Sequence, residues 1–458
     1  MHINKIKFDK NIIKNYDVNC PRYTSYPTAI QFINYTKKYN IKKIFLIKKN
    51  FISIYIHIPF CKNLCYYCAC NKIITKNINF SDYYLTLIKK EIKIKKKYLN
   101  YTKNIKQIHI GGGTPNFLNQ KQIIKLITII KKYFKIKKNI KEFSIEIDSR
   151  NILLSYISLI KNLKFFIISI GIQDLNKNVQ KDINRIQKKK EIIFIIKKLR
   201  NEKFKSLNID LIYGLPNQTT NNFIKTIKKI IIISPDKISL FNYAHLPHKF
   251  SSQKRINIIN FPSPKKKLNI LKNTINLLLK AEYSYIGMDH FAKKNNKLTI
   301  AQKNNTLYRN FQGYSTNSDC YLFGFGVSAI NLLENNYIQN IYSINKYKNL
   351  LKKNYIPINK IIILSKDDKI RKYIINNLMC NLKINFQIIK IKFNINFKTY
   401  FEKEINKLQI FEKDKLIIIK KNSIIINLKG RFLIRNICSI FDKYHKNIYT
   451  KITHSKSI

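Results

Sequence analysis

With 458 residues the chain is long enough for two or three domains, and its 45% hydrophobic content suits large cores. Lys plus Arg outnumber Asp plus Glu by 87 to 24, giving a formal charge of +63, but the excess runs along the whole chain together with Ile and Asn, as an A/T-rich coding bias produces. That spread argues against a nucleic-acid binder, whose basic residues gather on one face or tail, and no apolar run reaches the length of a membrane span.

The first 50 residues read as an arm with no apolar leader core, so a cytoplasmic protein is expected. Apolar, strand-like runs then alternate with Lys-rich segments of helical spacing. The runs are 51–58, 105–110, 143–147, 165–172, 207–213 and 238–246, with a shorter one near 283–288. Helices are expected at 82–97, 120–134, 188–199 and 221–232. Such alternation predicts an α/β fold with a parallel sheet, either a barrel or a doubly wound sheet. Past about residue 365 the pattern changes to a helix at 367–382, a hairpin at 415–427 and a final helix at 430–444. The expected division is therefore an arm (1–50), a barrel with an extension (51–362) and a mainly helical, winged-helix-like domain (363–458).

Chemistry-bearing residues fall where the runs end. The first run leads into His57-Ile-Pro-Phe-Cys61-Lys-Asn-Leu-Cys65-Tyr-Tyr-Cys68-Ala-Cys70. Three thiolates at C-x3-C-x2-C spacing wrap three corners of a [4Fe–4S] cube and leave the fourth iron open. An open iron chelates the amino and carboxylate groups of S-adenosylmethionine, whose one-electron cleavage releases a 5′-deoxyadenosyl radical. A structural zinc loop needs four closing ligands, and Cys70 or His57 as the fourth makes awkward geometry. Gly111-Gly112-Gly113-Thr114 follows the second run, where small residues let a ligand approach the backbone. Glu146 and Asp148 end the third run, Gln173 and Asp174 follow the fourth, and Asp210 lies in the fifth; Arg185 stands downstream of the fourth. In a parallel barrel all of these line one mouth. The segment 21–28, PRYTSYPT, reads as an extended linker or as a cap for a flat anionic ligand, and His290 as a substrate contact or a core imidazole. Cys20, Cys320, Cys380 and Cys438 read as small buried hydrophobes.

The chain resembles the bacterial oxygen-independent coproporphyrinogen III oxidases. The resemblance is carried by PRYTSYPTA (21–29), YIHIPFCKNLCYYCACNKI (55–73), GGGTP (111–115), SIEID (144–148), GIQDLNKNVQKDINR (171–185) and NIDLIYGLPNQT (208–219). FNYAHLP (241–247), GMDHFA (287–292), RNFQGYSTNSD (309–319), GFGVSAI (324–330) and GRFLIRNIC (430–438) extend it. It implies an incomplete (β/α)6 barrel with a helical C-terminal domain over its mouth, and decarboxylation of two propionates of coproporphyrinogen III to vinyl groups in haem synthesis. It also implies that Cys61, Cys65 and Cys68 hold the cluster and that Tyr55, Gly112, Glu146 and Ile330 contact the S-adenosylmethionine on it. Tyr67, Gly113, Thr114, Gln173, Arg185, Asp210 and Ala244 are expected around a second such molecule. No catalytic side chain beyond these is assigned. Two positions depart from the family pattern: Ala69 replaces a glycine and Tyr67 a phenylalanine. Segment 331–359 matches poorly and is assigned nothing. The expected partners are the substrate and an electron donor and acceptor that the sequence does not name, with no nucleic acid, no membrane and a monomeric chain. The rival is the haem-binding chaperone of the same radical family, expected to keep the three cysteines but to lack Cys70 and the PRYTSYPT arm.

Overall fold

The computed structural model describes residues 15–16, 18–36, 39–45, 51–98, 104–136, 142–150 and 152–445. Much of the expected arm and the last residues of the expected C-terminal domain (446–458) lie outside them. The chain divides into two compact units, one of residues 32–263 and 319–363, the other of residues 1–31, 264–318 and 364–458. These units cut the chain differently from boundaries drawn along the sequence: residues 1–31 and 264–318 join the C-terminal segment.

The first unit is built on β1 (Phe51–Ile58), β2 (Asn104–Gly112), β3 (Glu142–Ile147), β4 (Ile167–Gln173), β5 (Ser206–Tyr213) and β6 (Lys237–Asn242), each parallel to the next. Helices α1 (Asn79–Lys96), α2 (Gln120–Tyr133), α3 (Leu154–Asn162), α4 (Lys189–Asn201) and α5 (Thr220–Ile233) connect them. This is the partial barrel that the family resemblance implies, and it decides between the barrel and the doubly wound sheet that the pattern alone left open. Strand β7 (Cys320–Phe325) adds a seventh parallel strand beside β1. From β7 the sheet continues antiparallel through β8 (Ile330–Leu332), β9 (Asn336–Asn340) and β10 (Ile358–Ile363). The run near 283–288 is a strand, Tyr283–Gly287, paired antiparallel with His290–Lys293.

Strand pleating gives the sheet two faces of opposite chemistry. Ile52, Ile54, Ile56 and Ile58 of β1, Ile168, Ile170 and Ile172 of β4, and Ile209 and Leu211 of β5 are fully buried. Alternate positions carry polar side chains that bond to one another within and between strands. Ser53 donates to Gln107 at 2.8 Å, Ser169 to Asp210 at 3.0 Å, Asn208 Nδ2 to Asp210 at 2.8 Å, and Ser239 to Asn208 at 3.2 Å. A hydrogen-bonded polar belt therefore lines this face, where many barrels stack apolar layers.

In the second unit, helix α6 (Lys366–Asn381) and helix Glu402–Lys413 pack with a three-stranded antiparallel sheet of Lys383–Asn385, Ser423–Ile426 and Ile417–Lys420. The expected last helix is shorter, with a 3-10 turn at Gly430–Leu433 and α-helix only over Ile434–Ser439. Tyr23 and Tyr26 of the PRYTSYPT segment are buried in this unit's core, Arg22 pairs with Asp289, and Arg435 Nε donates to Pro21 O at 3.1 Å. That segment is thus a packed element, not an extended linker. His290 packs edge-on against Tyr314, and Cys20, Cys320, Cys380 and Cys438 are buried, as expected. Among the described residues no helix is long and apolar enough to cross a membrane.

Candidate active site

The cysteine loop leaves the end of β1, and its backbone is tied down at nearly every turn. Phe60–Cys61 pairs with Ile73–Ile74, so Pro59 O and Cys61 O accept from Ile73 N at 2.7 Å and Thr75 N at 3.0 Å. Leu64 O accepts from Asn184 Nδ2 at 2.7 Å and Tyr67 O from Gln253 Nε2 at 3.1 Å. Cys68 O accepts from Lys72 Nζ at 2.9 Å and Ser252 Oγ at 3.2 Å. A loop whose carbonyls are so satisfied presents its side chains in one arrangement.

Each thiol then has its own surroundings. Thr114 Oγ1 donates to Cys61 Sγ at 3.3 Å, and burial pushes the Cys61 thiol up to about 12. Arg150 Nη2 and Arg185 Nη1 each lie 3.5 Å from Cys65 Sγ. The Cys68 thiol is pulled down, first by the donating thiol of Cys70, while Cys70 itself is pushed up by the same contact. Gly113 has no room for a side chain, since a Cβ there would stand 2.9 Å from Cys61 Sγ and 2.8 Å from Pro59 O. Among the described residues no three His, Cys, Asp or Glu side chains converge as ligands of a single metal ion. The donor set fits a cube: three soft thiols on one loop, hydroxyl and guanidinium donors at two of the sulfurs, and a side-chain-free approach beside the first. His57 is no fourth ligand for zinc. Its Nε2 lies 2.9 Å from Asn71 O and its Nδ1 3.0 Å from Tyr55 Oη, which fixes Nε2 as the donor, and burial lowers its pKa below 6.5.

The remaining expected residues fall into two groups and some outliers. Gly112 N donates to Glu146 Oε2 at 3.2 Å, Glu146 Oε1 meets His109 Nε2 at 3.2 Å, and Tyr55 stacks on His109 at 5.8 Å. Burial alone would raise the Glu146 pKa, but the bonds from His109 and Gly112 hold it below the usual value, so it stands as a carboxylate. The second group is Arg185, Gln173 and Tyr67. Arg185 donates to Gly171 O at 2.7 Å and Asp148 Oδ2 at 3.1 Å. Gln173 ends β4 with φ 68° at a register shift, a conformation rare for a side-chain-bearing residue, and its buried Oε1 has no partner among the described residues. Tyr67 packs against the apolar cluster that includes Val179, Ile183 and Tyr243. Asp210 sits in the polar belt, its pKa raised by burial and then by the Glu146 charge. Ala244 follows β6 and Ile330 opens β8; neither brings a polar side chain. Sequence reasoning passed over His109 and Arg150. His109 was accessible from period-two spacing with Gly111, whereas the contact of Arg150 with Cys65 depends on folding.

Residues 55–230 match the Radical SAM superfamily and residues 364–433 the HemN C-terminal domain. The oxygen-independent coproporphyrinogen III oxidase of Pseudomonas aeruginosa is 40% identical over 446 residues, 96% of this chain and 97% of that one. The Escherichia coli enzyme of the same name is 39% identical over 445 residues, 97% of each chain. The solved structure of coproporphyrinogen III oxidase from Escherichia coli, described as a radical SAM enzyme, superposes with a TM-score of 0.90 at 38% identity, over 96% of this chain and all of that one. With the thiol loop, the parallel sheet and these full-length likenesses together, the chain belongs to the oxygen-independent coproporphyrinogen III oxidase family of radical S-adenosylmethionine enzymes.

Proposed function

We propose that this chain converts coproporphyrinogen III to protoporphyrinogen IX without oxygen, as a cytoplasmic monomer. Each vinyl group forms when one propionate loses a β-hydrogen atom, carbon dioxide and one electron. When bound, the [4Fe–4S] cluster and S-adenosylmethionine supply the radical that takes the hydrogen atom. The observation that carries the reading is the loop itself: three thiols at the end of a parallel strand, with a hydroxyl at one sulfur and two guanidinium groups at another.

Cys61, Cys65 and Cys68 would hold the cluster. The Glu146 carboxylate suits an ammonium group, and Tyr55, Gly112 and Ile330 complete that first cofactor position. Tyr67, Gly113, Thr114, Gln173, Arg185, Asp210 and Ala244 would take a second S-adenosylmethionine. There the charge of Arg185 suits a carboxylate and the unbonded carbonyl of Gln173 an ammonium or hydroxyl group. The electron donor and acceptor are separate partners. Cys70 and the packed PRYTSYPT segment favour oxidase over haem-binding chaperone. Anaerobically reconstituted protein, given S-adenosylmethionine and a reductant, is expected to form protoporphyrinogen IX. Tight haem binding with no product under those conditions overturns the reading.

A further inference from the structure

Two guanidinium groups stand beside the Cys65 sulfur, and one carboxylate joins them. Asp148 accepts from Arg150 Nε at 3.0 Å, from Arg150 Nη2 at 2.6 Å and from Arg185 Nη1 at 3.1 Å. The side chains of Arg150, Asp148 and Arg185 are 15%, 12% and 8% exposed, so water screens them little. One carboxylate offsets one guanidinium. The second positive charge faces Cys65 Sγ, which lies 3.5 Å from both arginines. Asn116 fixes this arrangement to the floor of the site, exchanging bonds with the Asp148 backbone at 2.9 and 3.0 Å. Arg185 is anchored separately on Gly171 O, so its reach does not depend on Asp148 alone. Arg150 is held by Asp148 and aimed at the sulfur.

We infer that Arg150, assigned above to neither S-adenosylmethionine position, sets the reduction potential of the cluster; the inference rests on the proposed cluster site. Reducing a cluster by one electron adds negative charge that spreads onto its ligand sulfurs. A cationic N–H donor at such a sulfur stabilises the reduced form and raises the potential. Asp148 works against it, because its carboxylate offsets part of the positive charge at Cys65. Arg150 is a positioning residue for charge and touches no substrate.

The two residues therefore shift the potential in opposite directions, which general disruption of the loop would not do. The test is an EPR-monitored redox titration of full-length, reconstituted protein without S-adenosylmethionine or substrate. Arg150→Gln is expected to disfavour reduction at least tenfold, a shift of about 59 mV to lower potential for one electron. Arg150→Lys, which keeps the charge but loses the fork, is expected to fall between it and wild type. Asp148→Asn is expected to move the potential upward. Should Arg150→Gln hold no cluster, the signs for Arg150→Lys and Asp148→Asn decide. Unchanged potentials, or shifts of one sign in both, overturn the inference while leaving the cluster site standing. Wild type that binds no cluster overturns the cluster site as well.

Discussion

Replacing Lys95 by Met should loosen the strands that lie beside the one carrying the cysteine loop. Lys95 and Glu91, one turn apart on α1, are both fully buried and 2.6 Å from each other. Lys95 Nζ also donates to Gly324 O at 2.8 Å and Asn331 Oδ1 at 3.2 Å. Glu91 accepts from Gly326 N at 2.8 Å, from Asn340 Nδ2 at 2.7 Å and from the Tyr347 hydroxyl. Lys95→Met leaves the carboxylate buried without its cation and takes the ammonium donor from Gly324 O and Asn331 Oδ1. Breaking such a pair costs about 3–5 kcal/mol. The double variant Glu91→Gln, Lys95→Met removes both charges, so it should cost at least about 2 kcal/mol less than the sum of the single changes. Native-state hydrogen exchange at the amides of Gly326 and Val327 reads the loss locally, because their acceptors are Glu91 Oε2 and the Tyr84 hydroxyl. Tyr84 also donates to His57 O at 2.9 Å, so α1 ties the 324–330 segment to the strand that carries the cysteine loop. A loss under about 1 kcal/mol for Lys95→Met, or strict additivity in the double variant, would refute this reasoning.

Three further outcomes are expected. Gly113→Ala drives a Cβ to 2.9 Å from Cys61 Sγ against backbone that is already bonded, so iron per chain after reconstitution should fall by about half or more; wild-type iron content would refute the crowding. Cys70→Ser should keep full iron content, since Cys70 is exposed and stands outside the triad, and loss of one iron in four would make it a ligand. Burial holds His57 below 6.5, so the unfolded chain binds a proton near that pH that the folded chain refuses. Stability is full above pH 6.5 and declines as pH falls from there toward the folded value. Urea midpoints measured at about pH 7.5 and about 5.5 should show that decline in wild type and less of it in His57→Gln; equal slopes would contradict it.

The six parallel strands were legible because their evidence is local: five-to-nine-residue apolar runs, turn residues between them, and polar residues at alternate positions. The site was legible where chemistry is concentrated in short segments, as in the cysteine loop and Gly111–Thr114. What escaped depends on pairing between distant segments. Nothing in the run near 283–288 shows that it turns back on His290–Lys293, and nothing in 320–325 shows that it lies parallel to β1. Segment 331–359 matched poorly, yet Asn331 and Asn340 are fully buried partners of Lys95. Among 87 basic residues, one buried lysine carries no mark in the sequence. Arg150 is similar: only the fold brings its guanidinium to Cys65.

The most direct test of the central claim uses coproporphyrinogen III deuterated at the propionate β-carbons, with anaerobically reconstituted enzyme, S-adenosylmethionine and a reductant. The expected result is protoporphyrinogen IX together with 5′-deoxyadenosine that carries deuterium. Protoporphyrinogen formed with unlabelled 5′-deoxyadenosine, or no product from a chain that holds its full cluster, would contradict it.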